Sequence, residues 1–238
     1  MLAPSGLGTV LSVWAHPDDD VFLAGGVMAA AARAGQRVEC VLATAGEHGT
    51  DDPQTWPPHV LSEVRRREAA AAMAELGLGP HRWLGYVDGT LASVDTDEAT
   101  ARITGIIDEV RPDTILTFGP DGMTFHQDHI TVGIWTRRAW EKTGRRARLL
   151  TAAVTRAHVE EWSDKYEEWD VYMTDERPEG VREEDLALAL DLDDGLLGRK
   201  MAALRVMPSQ TKAVFDGLGE ETFALLNRSE WFVAVPRS

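Results

Sequence analysis

Two short apolar runs on either side of a helix-forming segment limit most strongly what this chain can fold into. "TVLSVWA" (9–15) and "RVECVLAT" (37–44) have the length and composition of buried strands. The segment between them, 21–35, is rich in alanine and ends at a glycine. A strand, a helix and a strand over this distance predict a βαβ unit, whose strands are parallel. We therefore expect an α/β fold built on a parallel sheet.

The same alternation continues along the chain. Helices are predicted over 60–79 and 97–112, and a third over 126–144. Apolar runs at 113–120 and 148–155 predict further strands. Each helix lies between or beside predicted strands, as a parallel α/β sheet requires.

The last third of the sequence is less regular. The charged segment 160–185 predicts mostly irregular structure with a short helix at its start, and 186–192 fits either a strand or a helix. A helix over 195–207 and a closing strand over 230–235 follow. The sequence contains no repeat and no low-complexity linker, so we expect one domain over 1–238.

Charge and cysteine content exclude several classes of partner. The chain has 24 basic and 39 acidic residues and a net charge of -15, which repels nucleic acid and anionic membranes. Its one cysteine, Cys40, excludes a disulfide within the chain and is expected in the core. We see no signal peptide, and no apolar run approaches the roughly 20 residues that span a bilayer. A cytoplasmic protein is the expectation.

Three polar loops that carry histidine and aspartate follow predicted strands. They are "AHPDDD" (15–20), "AGEHGTDD" (45–52) and "GPDGMTFHQDH" (119–129). Ligands of parallel α/β sheets bind at the carboxyl ends of the strands, where these loops meet. We expect the functional site there.

Two pairs of residues in these loops have a spacing that brings side chains together. His16 and Asp19, and likewise His126 and His129, are three residues apart at the start of a predicted helix, which places each pair on one helix face. Two histidines and an aspartate form a three-ligand site with open positions, suited to catalytic Zn²⁺. The same donors suit Fe²⁺, so the ligand set leaves the metal open.

The neighbouring residues supply the remaining parts of a hydrolytic site. Asp18, adjacent to a ligand, is positioned to accept a proton from a metal-bound water. The histidine of the second pair that does not bind metal is available to stabilise an oxyanion. Asp128 lies between the two histidines and is suited to fix an imidazole tautomer. Together these residues indicate metal-assisted hydrolysis of an amide or ester.

Other polar and aromatic residues have a structural interpretation. Asp20 fits a helix N-cap as well as it fits a chemical role. Four tryptophans, Trp56, Trp135, Trp140 and Trp162, are expected to be packing residues. Four histidines without a partner pattern are expected on the surface or in loops, namely His48, His59, His81 and His158.

The motifs "AHPDDD" and "HQDH" resemble the two signatures of the PIG-L/LmbE-like de-N-acetylases. The resemblance extends over most of the chain, through "LATAGEHG", "EVRRREAAAAMAELGL", "LGYVDGTL" and "PSQ". It implies a Rossmann-like fold, with a mostly parallel sheet and helices on both faces. It also implies zinc-dependent removal of an N-acyl group, typically N-acetyl, from a glucosamine-type sugar or its conjugate.

The resemblance also implies roles for individual residues. Zinc ligands would be His16, Asp19 and His129, and the general base would be Asp18. His126 would stabilise the tetrahedral oxyanion or assist the leaving amine, and Asp128 would support the histidine pair. Arg65 and Asp88 match positions that contact the sugar in some relatives.

The chain departs from the family pattern at three positions. Asp20 replaces the glutamate that ends the first motif, Thr124 replaces a tyrosine implicated in catalysis in some relatives, and Met207 replaces a histidine near the "PSQ" segment. Asp20 is not a ligand position, so metal binding is expected to survive that change. The contact made by the histidine is not assumed at Met207, and a tyrosine-dependent step is not assumed at Thr124.

Three alternatives stay open on the sequence alone. "DDDV" (18–21), with Asp18 and Asp20, and "DLDDG" (191–195) superficially match a haloacid-dehalogenase-type phosphatase, although that interpretation gives "HQDH" no role. An Fe²⁺ oxygenase and a non-catalytic module that binds metal or sugar are the others. Substrate recognition is expected from 45–59 and 160–185, and the sequence names neither the substrate nor the oligomeric state.

Overall fold

Seven strands form a single sheet in a computed structural model that describes residues 1–169 and 171–237. The strands are β1 Val10–Trp14, β2 Val38–Leu42, β3 Arg82–Trp83, β4 Thr114–Thr117, β5 Arg148–Ala153, β6 Leu188–Asp191 and β7 Ser229–Ala234. Their order is β3-β2-β1-β4-β5-β7-β6. The first five in this order pair in parallel, and β7 is antiparallel to both β5 and β6.

The helices connect these strands and cover the sheet. They are α1 Asp19–Arg33, α2 Pro58–Leu76, α3 Thr96–Val110, α4 Gln127–Lys142, α5 Arg156–Glu168, α6 Asp194–Arg205, α7 Pro208–Leu218 and α8 Glu220–Leu226. None of the helices in the described part of the chain has both the length and the apolar character required to span a membrane.

The strand order explains why helices cover both faces. The chain leaves β1 in one direction through α1 and α2 to β2 and β3, and α3 then carries it to β4 on the other side of β1. Because such crossovers are right-handed, reversing the direction moves the helix to the opposite face. In agreement, α3 packs on α4, whereas α6 packs on α1 and α2. The prediction of a mostly parallel α/β sheet with helices on both faces is confirmed.

The core lies on both sides of the central strands. All five residues of β1 are buried, as expected for a strand covered on both faces. Trp14 contacts Phe118 edge-to-face at 4.9 Å between ring centroids. Trp135 and Trp140 are fully buried and Cys40 is buried, as predicted, whereas Trp56 is exposed.

A buried ion pair joins β7 to α6 and α1. Lys200 Nζ lies 2.8 Å from Glu230 Oε1, and both side chains are 1% exposed. The Glu230 carboxylate also accepts hydrogen bonds from the backbone N–H groups of Gly26 and Val27, each at 2.7 Å. A Cβ at Gly26 would lie 2.2 Å from a methyl group of Leu192, so a larger residue there would require the Leu192 side chain to move. The charges are therefore fully paired, as buried charges must be.

Several element boundaries differ from the sequence predictions. The segment 186–192 contains strand β6, which settles the choice between strand and helix. α5 starts before residue 160 and runs to Glu168, because the Thr155 side chain caps its first turn by accepting from the His158 N–H. α7 and α8 were not predicted. Asp20 does not cap α1, since that helix already begins at Asp19.

Candidate active site

The site lies between the neighbouring parallel strands β1 and β4. From β1 the chain first adds strands on one side, β2 and β3, and then adds β4 and β5 on the other. The loop after β1 carries His16 and leads directly into α1, and the loop after β4 carries His126 and leads into α4. A reversal of this kind opens a crevice at the carboxyl ends of the two strands. The structure thus brings together the two histidine- and aspartate-bearing motifs singled out in the sequence.

Three donor groups at this crevice face one another at short range. His16 Nδ1 lies 3.1 Å from His129 Nε2. Asp19 Oδ1 lies 3.2 Å from His129 Nε2, and Asp19 Oδ2 lies 3.5 Å from His16 Nδ1. Tetrahedral Zn²⁺ with bonds of about 2.0–2.1 Å requires ligand atoms roughly 3.3 Å apart. The donor set fits a divalent cation in both chemistry and spacing.

His129 is held as a neutral imidazole with one nitrogen facing the site. Its Nδ1 lies 2.9 Å from the carbonyl oxygen of Gly122 and donates to it, which leaves the Nε2 lone pair free. The ring stacks on Phe118 at 4.3 Å between centroids. Burial, with a smaller effect from nearby His16, lowers the pKa of His129 to about 4. A metal ligand needs this unprotonated form.

The loop that positions His129 has a constrained backbone. Gly122 has φ 60°, and a Cβ there would lie 2.8 Å from the Cβ of His129. Met123 and Phe125, which are not glycines, also have positive φ angles of 67° and 60°. Such strain persists only where the surroundings hold it, and it is common at functional sites.

The opposite nitrogen of His16 faces two carboxylates. His16 Nε2 lies 3.0 Å from Asp88 Oδ1 and 3.4 Å from Asp128 Oδ2. Although burial alone would lower it, the bonds with Asp128, Asp19 and Asp88 raise the pKa of His16 well above its usual value. A carboxylate on the far nitrogen is the usual way to orient a metal-binding histidine. Asp88, which the resemblance assigned to the sugar, contacts His16 in this structure.

Asp128 is fixed by backbone groups of the loop after β3. The N–H groups of Gly89 and Leu91 donate to its two oxygens at 2.8 and 3.1 Å. Burial opposes ionisation, but the bonds with His16 and these N–H groups lower the pKa of Asp128. Asp128 therefore connects the β3 loop, α4 and His16. The sequence pattern gave no signal for these backbone donors.

His126 occupies the N-cap position of α4. Its Nδ1 accepts a hydrogen bond from the Asp128 N–H at 3.1 Å, so a neutral His126 carries its proton on Nε2. Burial, with the nearby charge of His16 second, lowers the pKa of His126. The ring lines the cavity and lies 4.9 Å from that of His16 between centroids. A neutral N–H donor thus lies beside the donor cluster of His16, Asp19 and His129.

Asp18 lines the same crevice without a capping hydrogen bond to α1. Burial and the neighbouring charge of Asp19 raise the pKa of Asp18 to about 7, against the opposing effect of His16 and Arg65. A carboxyl group with a pKa near neutrality can accept a proton and release it again at the pH of the cell. This property suits a general base.

Arg65 is the arginine that reaches the site. It is buried, and its guanidinium donates to the carbonyl oxygens of Gly46 and Gly49 at 2.5 and 2.6 Å. A Cβ at Gly46 would lie 2.4 Å from the guanidinium. Arg65 therefore shapes the loop after β2 while also lining the cavity.

The two neighbouring arginines face elsewhere. Arg66 lies over the ring of Trp83 at 4.1 Å, and Arg67 pairs with Glu63 on the exposed side of α2. This resolves which residue of the triplet "RRR" belongs to the crevice.

The three departures from the family pattern have different environments. Thr124 Oγ1 lies 3.4 Å from His129 Nδ1, at the edge of the site. Met207 is fully buried in the core. Asp20 accepts a hydrogen bond from His81 Nε2 at 2.8 Å behind the site, next to Cys40 Sγ at 3.6 Å.

Two of the four histidines expected on the surface or in loops have buried side chains: His81, which lies in the loop before β3 as expected, and His158, which lies in α5. The His81 side chain is 2% exposed because it pairs with Asp20. His158 is 9% exposed, and its Nε2 lies 2.8 Å from Tyr166 Oη. His81 is 61 residues from Asp20 in the chain, and Tyr166 belongs to no motif, so spacing gave no signal for either pair. His48 and His59 are exposed, as predicted.

A cavity of about 550 Å³ opens from the donor cluster. It is lined by catalytic candidates, by Gly49 of the loop after β2, and by residues of the segment that follows β5, including Tyr166 and Tyr172. Both segments expected to recognise substrate therefore contribute to it.

The later acidic segment of the phosphatase alternative, "DLDDG" (191–195), does not line this crevice. Asp191 belongs to β6 at the edge of the sheet and accepts from Ser229 Oγ at 2.6 Å. Asp193 caps α6 and pairs with Arg33. The geometry gives this alternative no support.

Comparison with known proteins identifies relatives over the whole chain. The PIG-L family, described as GlcNAc-PI de-N-acetylase, matches residues 11–140. A 1D-myo-inositol 2-acetamido-2-deoxy-alpha-D-glucopyranoside deacetylase of Mycolicibacterium vanbaalenii is 31% identical over 95% of this chain and 87% of its own length. The enzyme of the same name from Kineococcus radiotolerans is 36% identical over 55% of this chain.

The extent of these matches varies. The match covers 44% of the Kineococcus protein, and with several such curated relatives the chain spans about half of the relative's length. Among solved structures, N,N'-diacetylchitobiose deacetylase from Pyrococcus horikoshii has a TM-score of 0.65 and 20% identity, covering 98% of this chain and 85% of that one. This likeness shows the fold. The family match and the Mycolicibacterium relative establish that the chain belongs to the PIG-L family.

Proposed function

We propose that this chain hydrolyses the N-acyl group, in the first instance N-acetyl, of an amino sugar or amino-sugar conjugate. The observation that carries the proposal is the group of three donors from His16, Asp19 and His129, 3.1–3.5 Å apart, with Asp18 and His126 beside it. Relatives whose names specify deacetylation of a glucosamine derivative support the substrate class.

Zn²⁺ is the cation that we assign to the donors, with Fe²⁺ as the alternative. Two histidines and one carboxylate with open positions are typical of catalytic zinc. Such a cation lowers the pKa of a bound water and polarises a carbonyl group. Asp88 and Asp128 then act on the far side of His16, where they orient the ring.

Asp18 is the residue that we assign as general base. Its carboxylate removes the proton of the attacking water, and its pKa near neutrality allows it to return that proton later in the reaction. Asp18 makes no capping contact that would compete with this role.

His126 is the residue that we assign to the carbonyl and the leaving group. Its Nδ1 is occupied by the Asp128 N–H, so its proton lies on Nε2 and is available to the oxygen that gains negative charge. The same proton is suited to transfer to the departing amine nitrogen. Both roles require a proton on Nε2 of His126. Metal binding is then left to the imidazoles of His16 and His129 and to Asp19.

The test is a direct assay of amide hydrolysis. Purified protein loaded with Zn²⁺ is incubated with N-acetylglucosamine and with its α-glycoside of inositol, and both acetate and free amine are measured. We expect stoichiometric release that disappears on chelation, returns with metal, and is lost in Asp18→Asn with the metal still bound. Release of inorganic phosphate from sugar phosphates under the same conditions, without acetate release, would instead support the phosphatase alternative.

A further inference from the structure

The active-site cavity has two chemically different sides. On the β2 and β3 side it is lined by polar groups of Arg65, Asp88 and the Gly49 backbone. On the β5 and β7 side it is lined by a wall of large apolar residues, which we call the apolar wall: Phe22, Trp169, Val214, Phe223, Leu226 and Trp231. The donor cluster lies between these two sides, at the ends of β1 and β4. A scissile amide held at the cluster therefore has polar groups on one side and apolar side chains on the other.

The apolar wall is built from packed side chains. Phe22 of α1 contacts Phe223 of α8 edge-to-face at 6.0 Å, and Phe223 is fully buried. Trp231 of β7 contacts the ring of His158 at 4.9 Å. The wall thus has residues from α1, α8 and β7, and the Glu230 carboxylate of β7 accepts hydrogen bonds from the α1 backbone. A preformed apolar surface next to a reaction centre is a typical ligand site.

Several polar groups on this side already have partners within the protein. Glu230 is paired with Lys200 and two backbone N–H groups. The Asn227 side-chain amide donates to the Phe223 carbonyl oxygen at 2.9 Å, and His158 bonds Tyr166 at 2.8 Å. Sugar hydroxyls placed here would lose water without gaining enough hydrogen bonds, which is costly.

One buried side-chain nitrogen on the apolar side of the cavity lacks a partner in the described part of the chain. The side-chain nitrogen Nε2 of Gln210 is buried and has no hydrogen-bond partner within the described residues. A single donor can anchor one oxygen of a mostly apolar group but cannot satisfy a second sugar ring.

We propose that the substrate carries an extended apolar group that fills the space along the apolar wall while the amino sugar lies on the polar side. This inference rests on the proposed N-acyl hydrolase function. The apolar group is attached either to the amide carbonyl, as an acyl chain longer than acetyl, or to the sugar, as an alkyl or aryl glycoside. Burial of each additional methylene along such a wall is expected to raise kcat/KM about fourfold.

The experiment compares both attachment points with one parent. The Zn²⁺-loaded protein is assayed for free amine with N-acetylglucosamine, N-hexanoylglucosamine and the hexyl glycoside of N-acetylglucosamine. We expect one of the two extended substrates to exceed the parent in kcat/KM by roughly tenfold or more. The extended substrate with the higher kcat/KM identifies whether the apolar group is attached to the amide carbonyl or to the sugar.

Variants that fill the cavity test whether the gain arises at this wall. Leu226→Trp and Val214→Trp place a large ring in the space, and Leu225→Trp puts the same ring on the 53% exposed neighbouring position of α8. The ratio of kcat/KM for the extended substrate over the parent should fall towards one in the first two and persist in the third. Thermal unfolding shows whether each variant is folded. If one of the two filling variants is not folded, the other one is used for the test.

The possible failures are distinguishable. Hydrolysis of N-acetylglucosamine without a gain from either extension would overturn the apolar subsite and leave the proposed function intact. An unchanged ratio in both folded filling variants would likewise place the apolar group elsewhere. If no substrate releases amine with metal bound, the proposed function fails, and this inference fails with it.

Discussion

His16 Nδ1 and His129 Nε2 lie 3.1 Å apart although 113 residues separate them in the chain. Two imidazole nitrogens at this distance share either a proton or a cation. Asp19 approaches both from the third side, at 3.2 and 3.5 Å. The metal-ligand proposal therefore concerns three side chains, and each can be removed separately by mutation.

We expect His129→Ala and Asp19→Ala each to lower bound metal well below one equivalent after dialysis, because two donors remain. His126→Ala is the matched control, since its Nδ1 is occupied by the Asp128 N–H. Metal content by mass spectrometry decides: one full equivalent in either ligand variant would contradict the assignment.

Asp18→Asn should keep the metal and lose activity by about 10²–10⁴-fold in kcat, which is the usual contribution of a general base. Since the amide has nearly the shape of the carboxylate, a large change in KM is not expected. Loss of metal together with activity would make Asp18 a ligand instead of the base.

Asp88→Asn tests the carboxylate that faces His16 Nε2 at 3.0 Å. We expect metal affinity to fall by about 10–100-fold, as for other carboxylates that orient a ligand histidine. Competition with a chelating dye measures this affinity. Asp97→Asn, at an exposed position of α3, is the control and should bind metal as the parent does.

Lys200→Met should destabilise the fold by about 3–5 kcal/mol, because it leaves the Glu230 carboxylate buried without its cation. Urea unfolding followed by circular dichroism measures the change. Arg33→Met breaks the exposed pair with Asp193 and should cost less than about 1 kcal/mol. Adding Glu230→Gln to Lys200→Met should recover part of the lost stability.

His158 should make stability depend on pH below neutrality. Burial lowers the pKa of His158 to about 4, whereas an unfolded chain keeps the usual 6.5. Between these two pH values the unfolded state binds a proton that the folded state does not. The contribution of His158 to the free energy of unfolding is therefore complete above pH 6.5 and declines as the pH falls towards 4. The decline is on the order of 3 kcal/mol. His158→Gln should flatten this part of the curve, and an unchanged slope would show that other groups cause it.

The sequence was informative wherever function required a fixed residue type at a fixed spacing. The alternating apolar runs predicted the parallel strands, and "AHPDDD" and "HQDH" predicted which loops would converge, because the carboxyl ends of parallel strands share an edge. The backbone N–H groups of Gly89 and Leu91 on Asp128 were not predictable, since any residue type except proline supplies such donors.

The apolar wall was also outside the reach of pattern analysis. Trp231 and Phe223 come from β7 and α8, and antiparallel insertion of β7 beside β5 brings them to the cavity. No local spacing encodes which distant strand will pair with β5. The burial of His158 in α5, where a surface or loop position was expected, was unpredictable for the same reason, because it depends on contacts with Tyr166 and Trp231.

The candidate catalytic residues and the apolar wall come from different parts of the chain. Every proposed metal ligand, base and proton donor falls within the family-matched residues 11–140, whereas most of the wall comes from α7, α8 and β7. Mutation in the later part can thus alter which molecules are accepted without disturbing the bond-breaking apparatus. Grafting that part between relatives offers a route to exchange selectivity and retain chemistry.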